Sequence, residues 1–473
     1  MSSPANSGPS RVHFVTLGCP KNRVDSELLI ARMLDAELVL ASEPEDADVI
    51  VVNTCGFIED AKKESIDVIF EMARHKAHGR AKKLVVAGCL VQRYSEELAK
   101  DIPEIDVLLG NGEYDRIAEV AKSARGPRVL VSEPRFLHDA TTPRVNTFLP
   151  HSAYVKVAEG CDQKCAFCII PKLRGLARSR PVADVVREAE ELASRGIVEL
   201  NLVAQDLTGY GFDLSPKASL ADLVYALGEV RGIEWVRLHY AYPRPFSRKL
   251  LQAFRDVPKL VPYVDMPLQH ISDPVLKRMN RGRPRRFIEE LLDRLAREVP
   301  GLVLRTSFIV GFPGETDGSF EELCAFVSQR PFERVGVFKY SDEEGTSAYD
   351  LPEKIPPSVI AERHASLMTL LREKSRATME TYVGRTIDVL VDGPSEETEL
   401  LLAGRHKGQA PEVDGTTYIN DGEAKAGDLV EVEIEEAMDY DLVGKIVRVK
   451  RPAPSRPKSP RLEARPRVAL PVL

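Results

Sequence analysis

The sequence of 473 residues predicts a multidomain α/β protein: an N-terminal parallel α/β sandwich, a central open (β/α)6 barrel and a small C-terminal β-barrel. Two observations predict this order. Short apolar runs alternate with amphipathic stretches over most of the chain, the pattern of parallel strands covered by helices. After residue 380 the alternation changes to short strands and turns without helical periods. Domains usually run to about 100 to 200 residues, so a chain of this length predicts roughly three.

The first unit, 11–140, carries the runs VHFVTLGC, DVIVVNTC, KLVVAGC and DVLLGNG between amphipathic stretches. The first three runs end in Cys19, Cys55 and Cys89, each just before a helix. Parallel strands bring their carboxyl ends to one sheet edge, where such folds bind ligands, so three distant cysteines are expected to converge. Between 116 and 150 the segments RGPRVLVSEPRF and TTPRVNTFLP are proline-punctuated and weakly periodic, which predicts a boundary near 140.

The second unit, 148–380, opens with AYVKVAEGC. Strands are expected near 153–157, 198–203, 234–240, 262–267, 302–309 and 334–340. Helical periods such as PVADVVREAEELASRG and RRFIEELLDRLAREV follow most of them. Six units are too few to close an eight-stranded barrel, which predicts a partial, TIM-like one. The third unit, 381–450, reads TIDVLVDG, LLLAGRH, TTYIND, DLVEVEIEEA and GKIVRVK, the spacing of a small OB-like barrel. Residues 1–10 and the proline-interrupted basic stretch 451–473 read as disordered ends.

Composition bounds the class. Hydrophobic residues make up 43% and charged residues 29%, an ordinary globular balance. The opening MSSPANSGPSR has no apolar run and no stretch of about 18 apolar residues follows, which predicts a cytoplasmic protein with no membrane contact. In a reducing compartment seven cysteines, an odd number, read as metal ligands or catalytic groups and not as disulfides. The net charge of -7 is unevenly spread: 381–450 holds 16 acidic against 7 basic residues, and 451–473 holds six basic residues against Glu463.

The chemistry is densest in EGCDQKCAFCIIP. Iron-sulfur clusters are commonly held by four thiolates, so Cys161, Cys165 and Cys168 alone leave one iron open. An open iron suits chelation by the amino and carboxylate groups of S-adenosylmethionine (SAM), and the radical chemistry that follows belongs to the cofactor. The alternative is a Cys3His zinc site with His151 as fourth ligand, although zinc favours paired CxxC knuckles and no second pair exists. Cys19, Cys55 and Cys89 also have a bland reading as small buried hydrophobes, and Cys324 in SFEELCAFV reads as helix core.

With Phe167 before its last cysteine, this motif resembles that of the radical SAM superfamily. The resemblance implies contacts to the SAM amino group in VAQDLTGY at 203–210, with Gln205 and Asp206, and to adenosine in TSFIVGFPGET at 306–316, with Gly311 and Gly314. Gln269 and Arg305 are further candidates at the same barrel end, where each could instead tie strands together, and His270 has an equally good structural reading. Cys19, Cys55 and Cys89 resemble the N-terminal domain of the methylthiotransferases. That family binds a second 4Fe-4S cluster there and carries a C-terminal TRAM domain for its macromolecular substrate.

The resemblance spans about 11–450 and implies a two-phase reaction. One SAM methylates sulfur held at the Cys19, Cys55 and Cys89 cluster. A second, at the Cys161, Cys165 and Cys168 cluster, yields the radical that takes hydrogen from the acceptor carbon. TLGCPKNRVDSE, NTCGFIEDAKKES, AEGCDQKCAFCIIPKLRG and DMPLQHIS resemble the branch that modifies the β-carbon of an aspartate in small-subunit ribosomal protein twelve. The acidic third unit agrees, since RNA phosphates call for a basic surface whereas a lysine- and arginine-rich protein favours an acidic one. The implied partners are that ribosomal protein, free or within the ribosome, and a reductant such as flavodoxin or ferredoxin, with the enzyme a monomer. A transfer-RNA adenosine methylthiotransferase and a non-catalytic metal-binding protein stay open as alternatives.

Overall fold

The computed structural model describes residues 9–123 and 126–454, and the backbone of 467–468. The expectations for the two ends, 1–10 and 451–473, therefore fall largely outside the described residues.

The N-terminal sheet contains β1 (Arg11–Thr16), β2 (Val39–Leu40), β3 (Val49–Thr54), β4 (Lys83–Gly88), β5 (Val107–Leu109) and β6 (Val129–Leu130). Their spatial order is β2-β1-β3-β4-β5-β6, parallel throughout. Arg467–Val468 adds a short parallel pairing to β1 at Val15 and Thr16. Successive strand residues point to opposite faces, so a strand covered on both sides must be apolar at every position. Val49, Val51, Val85 and Ala87 accordingly pack with α1 (Pro20–Asp35) and the short helix α4 (Ile117–Lys122). Ile50, Val52, Leu84 and Val86 pack on the other face with α2 (Glu59–His78) and α3 (Cys89–Asp101). The two-residue strands β2 and β6 were not among the four predicted runs, because two residues are too few to show a period.

The central unit begins with β7 (Ser152–Lys156). A two-stranded ribbon of β8 (Ala158–Glu159) and β9 (Arg178–Ser179) follows. The sheet continues through β10 (Glu199–Val203), β11 (Trp235–Leu238), β12 (Leu260–Asp265), β13 (Val303–Val310) and β14 (Arg334–Lys339). Each strand of the sheet pairs in parallel with the next and the sheet stays open, the partial barrel the six units predicted. Helix α1 lies between the two units, and residues 20–31 are buried on all sides. Its polar residues Arg23, Asp25 and Glu27 are buried as well, each paired with a charge from elsewhere in the chain.

The helix Pro357–Glu380 leads into a closed barrel of β15 (Thr386–Pro394), β16 (Leu402–His406), β17 (Thr417–Asp421), β18 (Leu429–Ala437) and β19 (Leu442–Arg451). Closure leaves no strand edge unpaired. Leu390, Ala410 and Leu429 of this barrel pack against Val198, Trp235, Val261, Tyr263 and Val303, near the amino ends of the central strands. Arg405 joins Glu199 (2.9 Å) to Asp392 (2.8 Å), His151 Nε2 lies 2.9 Å from Asp392, and the Tyr263 hydroxyl donates to Asp414 (2.7 Å). Asp392, Glu412 and Asp414 thus face inward onto arginines or tyrosines, and part of the acidic excess is consumed at this interface.

Candidate cluster and cofactor site

Strands β1, β3 and β4 are neighbours, and the chain turns into a helix or loop directly after each. That geometry sets Cys19, Cys55 and Cys89 side by side at the carboxyl edge, close enough to act on one another electrostatically. The approach is tight. Gly18 adopts φ +92°, and a Cβ there would lie 2.8 Å from the Cβ of Cys55. A Cβ on Gly56 would lie 2.8 Å from Leu90 Cα, so that loop passes against the start of α3 with no room for a side chain. Asn111 Nδ2 lies 3.6 Å from Cys89 Sγ and donates to it.

Cys161, Cys165 and Cys168 come from one loop after β8, folded on itself by the Cys168 N–H to Cys165 carbonyl bond (3.1 Å). The Cys161 N–H donates to Gly175 O (3.1 Å), and the Ala166 N–H to Met279 O (2.9 Å). The Gln163 N–H donates to Cys161 Sγ (3.4 Å) and Arg281 Nη1 to Cys165 Sγ (3.3 Å). Burial pushes the Cys161 thiol up to about 11 and Cys168 up to about 12, and raises Cys55 and Cys89 too. Such thiols stay protonated until a metal displaces the proton.

The donor set, three thiols in each group, is that of a cluster with one iron left open, whereas a structural zinc takes four protein ligands. His151, the fourth ligand of the zinc reading, precedes β7 at the opposite end of the strand from the cysteines and is engaged by Asp392.

Helix α5 (Ile170–Arg174) begins two residues after Cys168, and Ile169 and Leu173 pack directly on Cys89, so one short segment joins the two triads. Arg174 at the end of α5 bonds Asp25 of α1 and Glu159 of β8, and Lys156 of β7 bonds the same two carboxylates. Two cations and two anions, all buried, therefore join α1 to the barrel beneath the triads. The cations Lys156 and Arg174 hold the Glu159 carboxyl well below its usual range despite burial.

The remaining predicted residues divide. Gln205 donates from Nε2 to Glu159 (2.7 Å), leaving its Oε1 buried without a donor, an acceptor suited to an ammonium ligand such as the SAM amino group. Asp206 receives Gln163 Nε2 (2.9 Å), Arg244 Nη2 (2.6 Å) and the Gly209 N–H (3.1 Å), next to the cysteine loop. Phe167 packs with Ala166, Phe312 and Tyr340 behind that loop. Gly311 and Gly314 take φ +82° and +83°, a region costly for any other residue, and a Cβ would also strike Ile360 and Arg278, so backbone and packing together call for glycine here. Gln269, at φ +74°, pairs its backbone with Phe308. Arg305 is tied to Asp265 (3.0 Å) and Asp414 (3.5 Å) inside the barrel. His270 is fully buried, accepts from the Ser272 N–H and lies 3.5 Å from Glu315, and Cys324 packs at the edge of the main core.

Sequence reasoning did not single out Lys21, Asn111, Arg174, Tyr240 or Arg281. Lys21 and Arg174 lie within three and six residues of a motif cysteine, which was the available signal. Tyr240 and Arg281 reach the site only through tertiary folding.

Residues 11–110 match the family model described as Uncharacterized protein family UPF0004, 155–327 the Radical SAM superfamily and 383–447 the TRAM domain. A ribosomal protein uS12 methylthiotransferase RimO from Anaeromyxobacter sp. (strain K) is 53% identical over 455 residues, 95% of this chain and 97% of the relative. The protein of the same name from Myxococcus xanthus (strain DK1622) is 51% identical over 97% and 96% of the two chains. Among solved structures, the radical S-adenosylmethionine methyltransferase TsrM from Kitasatospora setae superposes with a TM-score of 0.53 at 14% identity, covering 77% of this chain and 89% of that one. That likeness concerns the fold.

Proposed function

The chain belongs to the ribosomal protein uS12 methylthiotransferase RimO family, and from that premise we propose that it adds a methylthio group to the β-carbon of an aspartate of uS12. It is a radical SAM transferase, and its cofactors are SAM and 4Fe-4S clusters. The observation that carries the finer reading is the pair of cysteine triads joined through α5, whose Leu173, with Ile169 just before it, packs on Cys89.

In this reading Cys161, Cys165 and Cys168 hold the cluster that binds SAM, and Cys19, Cys55 and Cys89 hold the second. When bound, these groups supply the one-electron chemistry that breaks an unactivated C–H bond, beyond the reach of side-chain acids and bases at neutral pH. The chain's own contribution is positional. Gln163 and Arg281 direct N–H donors at the sulfurs of Cys161 and Cys165, and Asn111 does so at Cys89. Gln205 offers its free Oε1 to the SAM ammonium, while Asp206, fixed by Arg244, orients the strand end beside it. Phe167, Gly311 and Gly314 shape the wall behind the loop, and Gln269 and Arg305 brace the strands around it. Ala166, Met279 and Phe312 keep water from the back of the loop.

The division of labour follows 11–140 for the second cluster, 148–380 for radical generation and 381–450 for docking. The exposed acidic residues of the small barrel suit a basic ribosomal protein. Among the described residues no helix is long and apolar enough to cross a membrane. The reading also takes the enzyme to be monomeric, cytoplasmic and reduced by flavodoxin or ferredoxin. The test is anaerobic incubation of the reconstituted enzyme with SAM, dithionite and a sulfur source, then mass spectrometry of uS12. A methylthio group on one aspartate is expected. Methylthioadenosine in transfer RNA with uS12 unchanged would overturn the assignment.

A further inference from the structure

The acceptor carbon must be reached from both clusters, so the residue that carries it has to enter between the two triads. An aspartate brings its carboxylate with it. Burying that charge costs several kcal/mol unless a cation receives it, so the site should hold a cation not already neutralised.

The buried cations around the triads are few. Lys156 and Arg174 share Asp25 and Glu159. Arg305 is held by Asp265 and Asp414. Arg281 donates to Cys165 Sγ and Pro267 O, and Arg244, half-buried, is bonded to Asp206. Lys21 differs from all of them. Only 8% of the residue is exposed, and its Nζ lies 3.2 Å from the centre of the Tyr240 ring; Cys19 and Asp265 act on it electrostatically, yet among the described residues no carboxylate lies within ion-pair distance of it.

Its position is as informative as its charge. Lys21 follows Cys19 by two residues, on the N-terminal unit, whereas Tyr240 stands just past the carboxyl end of β11, on the barrel. The ammonium therefore bridges the edge that carries the second triad and the mouth where the radical is made. Tyr240 is held at φ +60°, a conformation costly for a non-glycine residue. Its N–H donates to Asp265 (3.2 Å), and its carbonyl accepts from the Leu207 N–H (3.0 Å). The ring is thus a fixed platform for the ammonium. A cation on an aromatic face is attracted by the ring quadrupole yet keeps N–H donors free for an anion.

We propose that Lys21 receives the side-chain carboxylate of the target aspartate and is the residue by which the enzyme tells aspartate from its uncharged amide. The inference rests on the reading that an aspartate of uS12 is the substrate. It goes beyond that reading by assigning the carboxylate subsite to a residue of the N-terminal unit.

The test uses the full-length, anaerobically reconstituted protein and two labelled uS12 peptides, one with aspartate and one with asparagine at the modified position, with binding read by fluorescence anisotropy. The unaltered protein is expected to bind the aspartate peptide at least about tenfold more tightly. Lys21→Met should bring the two peptides within about twofold of each other, and Lys21→Arg should keep most of the preference. Equal binding of both peptides by the unaltered protein overturns the proposal, and that measurement needs no variant. So does an undiminished preference in Lys21→Met. Equal weakening of both peptides with loss of about four irons would assign Lys21 to the cluster instead, and overturns it too. Failure of the unaltered enzyme to modify uS12 at all, with the peptide preference intact, would count against the broader reading and not against this one.

Discussion

The two cysteine triads solve the same problem by opposite routes. Cys161, Cys165 and Cys168 lie within eight residues, and a single loop closed by its own backbone bonds brings them together. Cys19, Cys55 and Cys89 are separated by more than thirty residues each and meet only because β1, β3 and β4 are adjacent and parallel. The first site depends on a turn and the second on an entire sheet. A local site tolerates disturbance elsewhere in the fold, whereas a distributed one inherits every strain in the elements that carry it.

The largest effects should come from the ligands themselves. Cys165→Ala is expected to abolish 5′-deoxyadenosine formation and Cys55→Ala to abolish thiolation while leaving some SAM cleavage. Each should lower iron from about eight to about four per chain. Chromatography of the nucleoside, mass spectrometry of uS12 and anaerobic iron analysis check the pair. Full thiolation by Cys55→Ala would erase the distinction between the sites.

Next in size is the link between them. Arg174→Met leaves Asp25 and Glu159 with Lys156 as their only cation, and breaking a buried ionic network of this kind costs about 3–5 kcal/mol. A fall in unfolding free energy of that order, read from a lowered denaturation midpoint at unchanged slope, is expected. An unchanged midpoint would mean that the two units are held together by something other than these charges.

Gly18→Ala addresses the asymmetry directly. The new Cβ would crowd Cys55 at a backbone angle unfavourable to alanine, a strain of roughly 2 kcal/mol. Iron at the N-terminal triad should fall while SAM cleavage at the other persists. Equal losses at both would show that the local loop also leans on the sheet.

The smallest effect concerns the connection between the units. His138 is buried and lies beside Arg180, and burial first, with that guanidinium, holds it down to about 4 from an ordinary 6.5. Its folded value is the lower one, so the stability it contributes is complete above about pH 6.5 and is lost as pH falls toward 4. At pH 5.5 the loss is about 1.4 kcal/mol. Denaturation midpoints should fall between pH 6.5 and 5.5, and His138→Gln should flatten that slope.

The same contrast explains what was legible in the sequence. The six central strands and the five of the small barrel follow from their apolar runs, and the local triad follows from its spacing. Strand ends pointed to the distributed triad through the rule that parallel strands share a carboxyl edge. What could not be read was polar burial. Arg23, Asp25 and Glu27 have the look of a solvated helix face, yet they are buried because α1 is covered by the barrel as well as by its own sheet. Lys21 belongs to the same class. Nor did the acidic count of the last unit reveal that Glu412 and Asp414 point inward to Arg23 and Arg305.

Those inward carboxylates have a mechanical meaning. With Glu412 clasped by α1, Asp414 by the barrel interior and Leu390 and Leu429 seated beneath the strands, the small barrel is no pendulum on a tether. Its outer face and the mouth above the two triads stand at a set separation, like the jaws of a caliper. On the proposed docking role of the small barrel, a protein gripped at one jaw presents to the other only the residue that lies one jaw-width away, and the selection of a single aspartate would begin as a measurement of length.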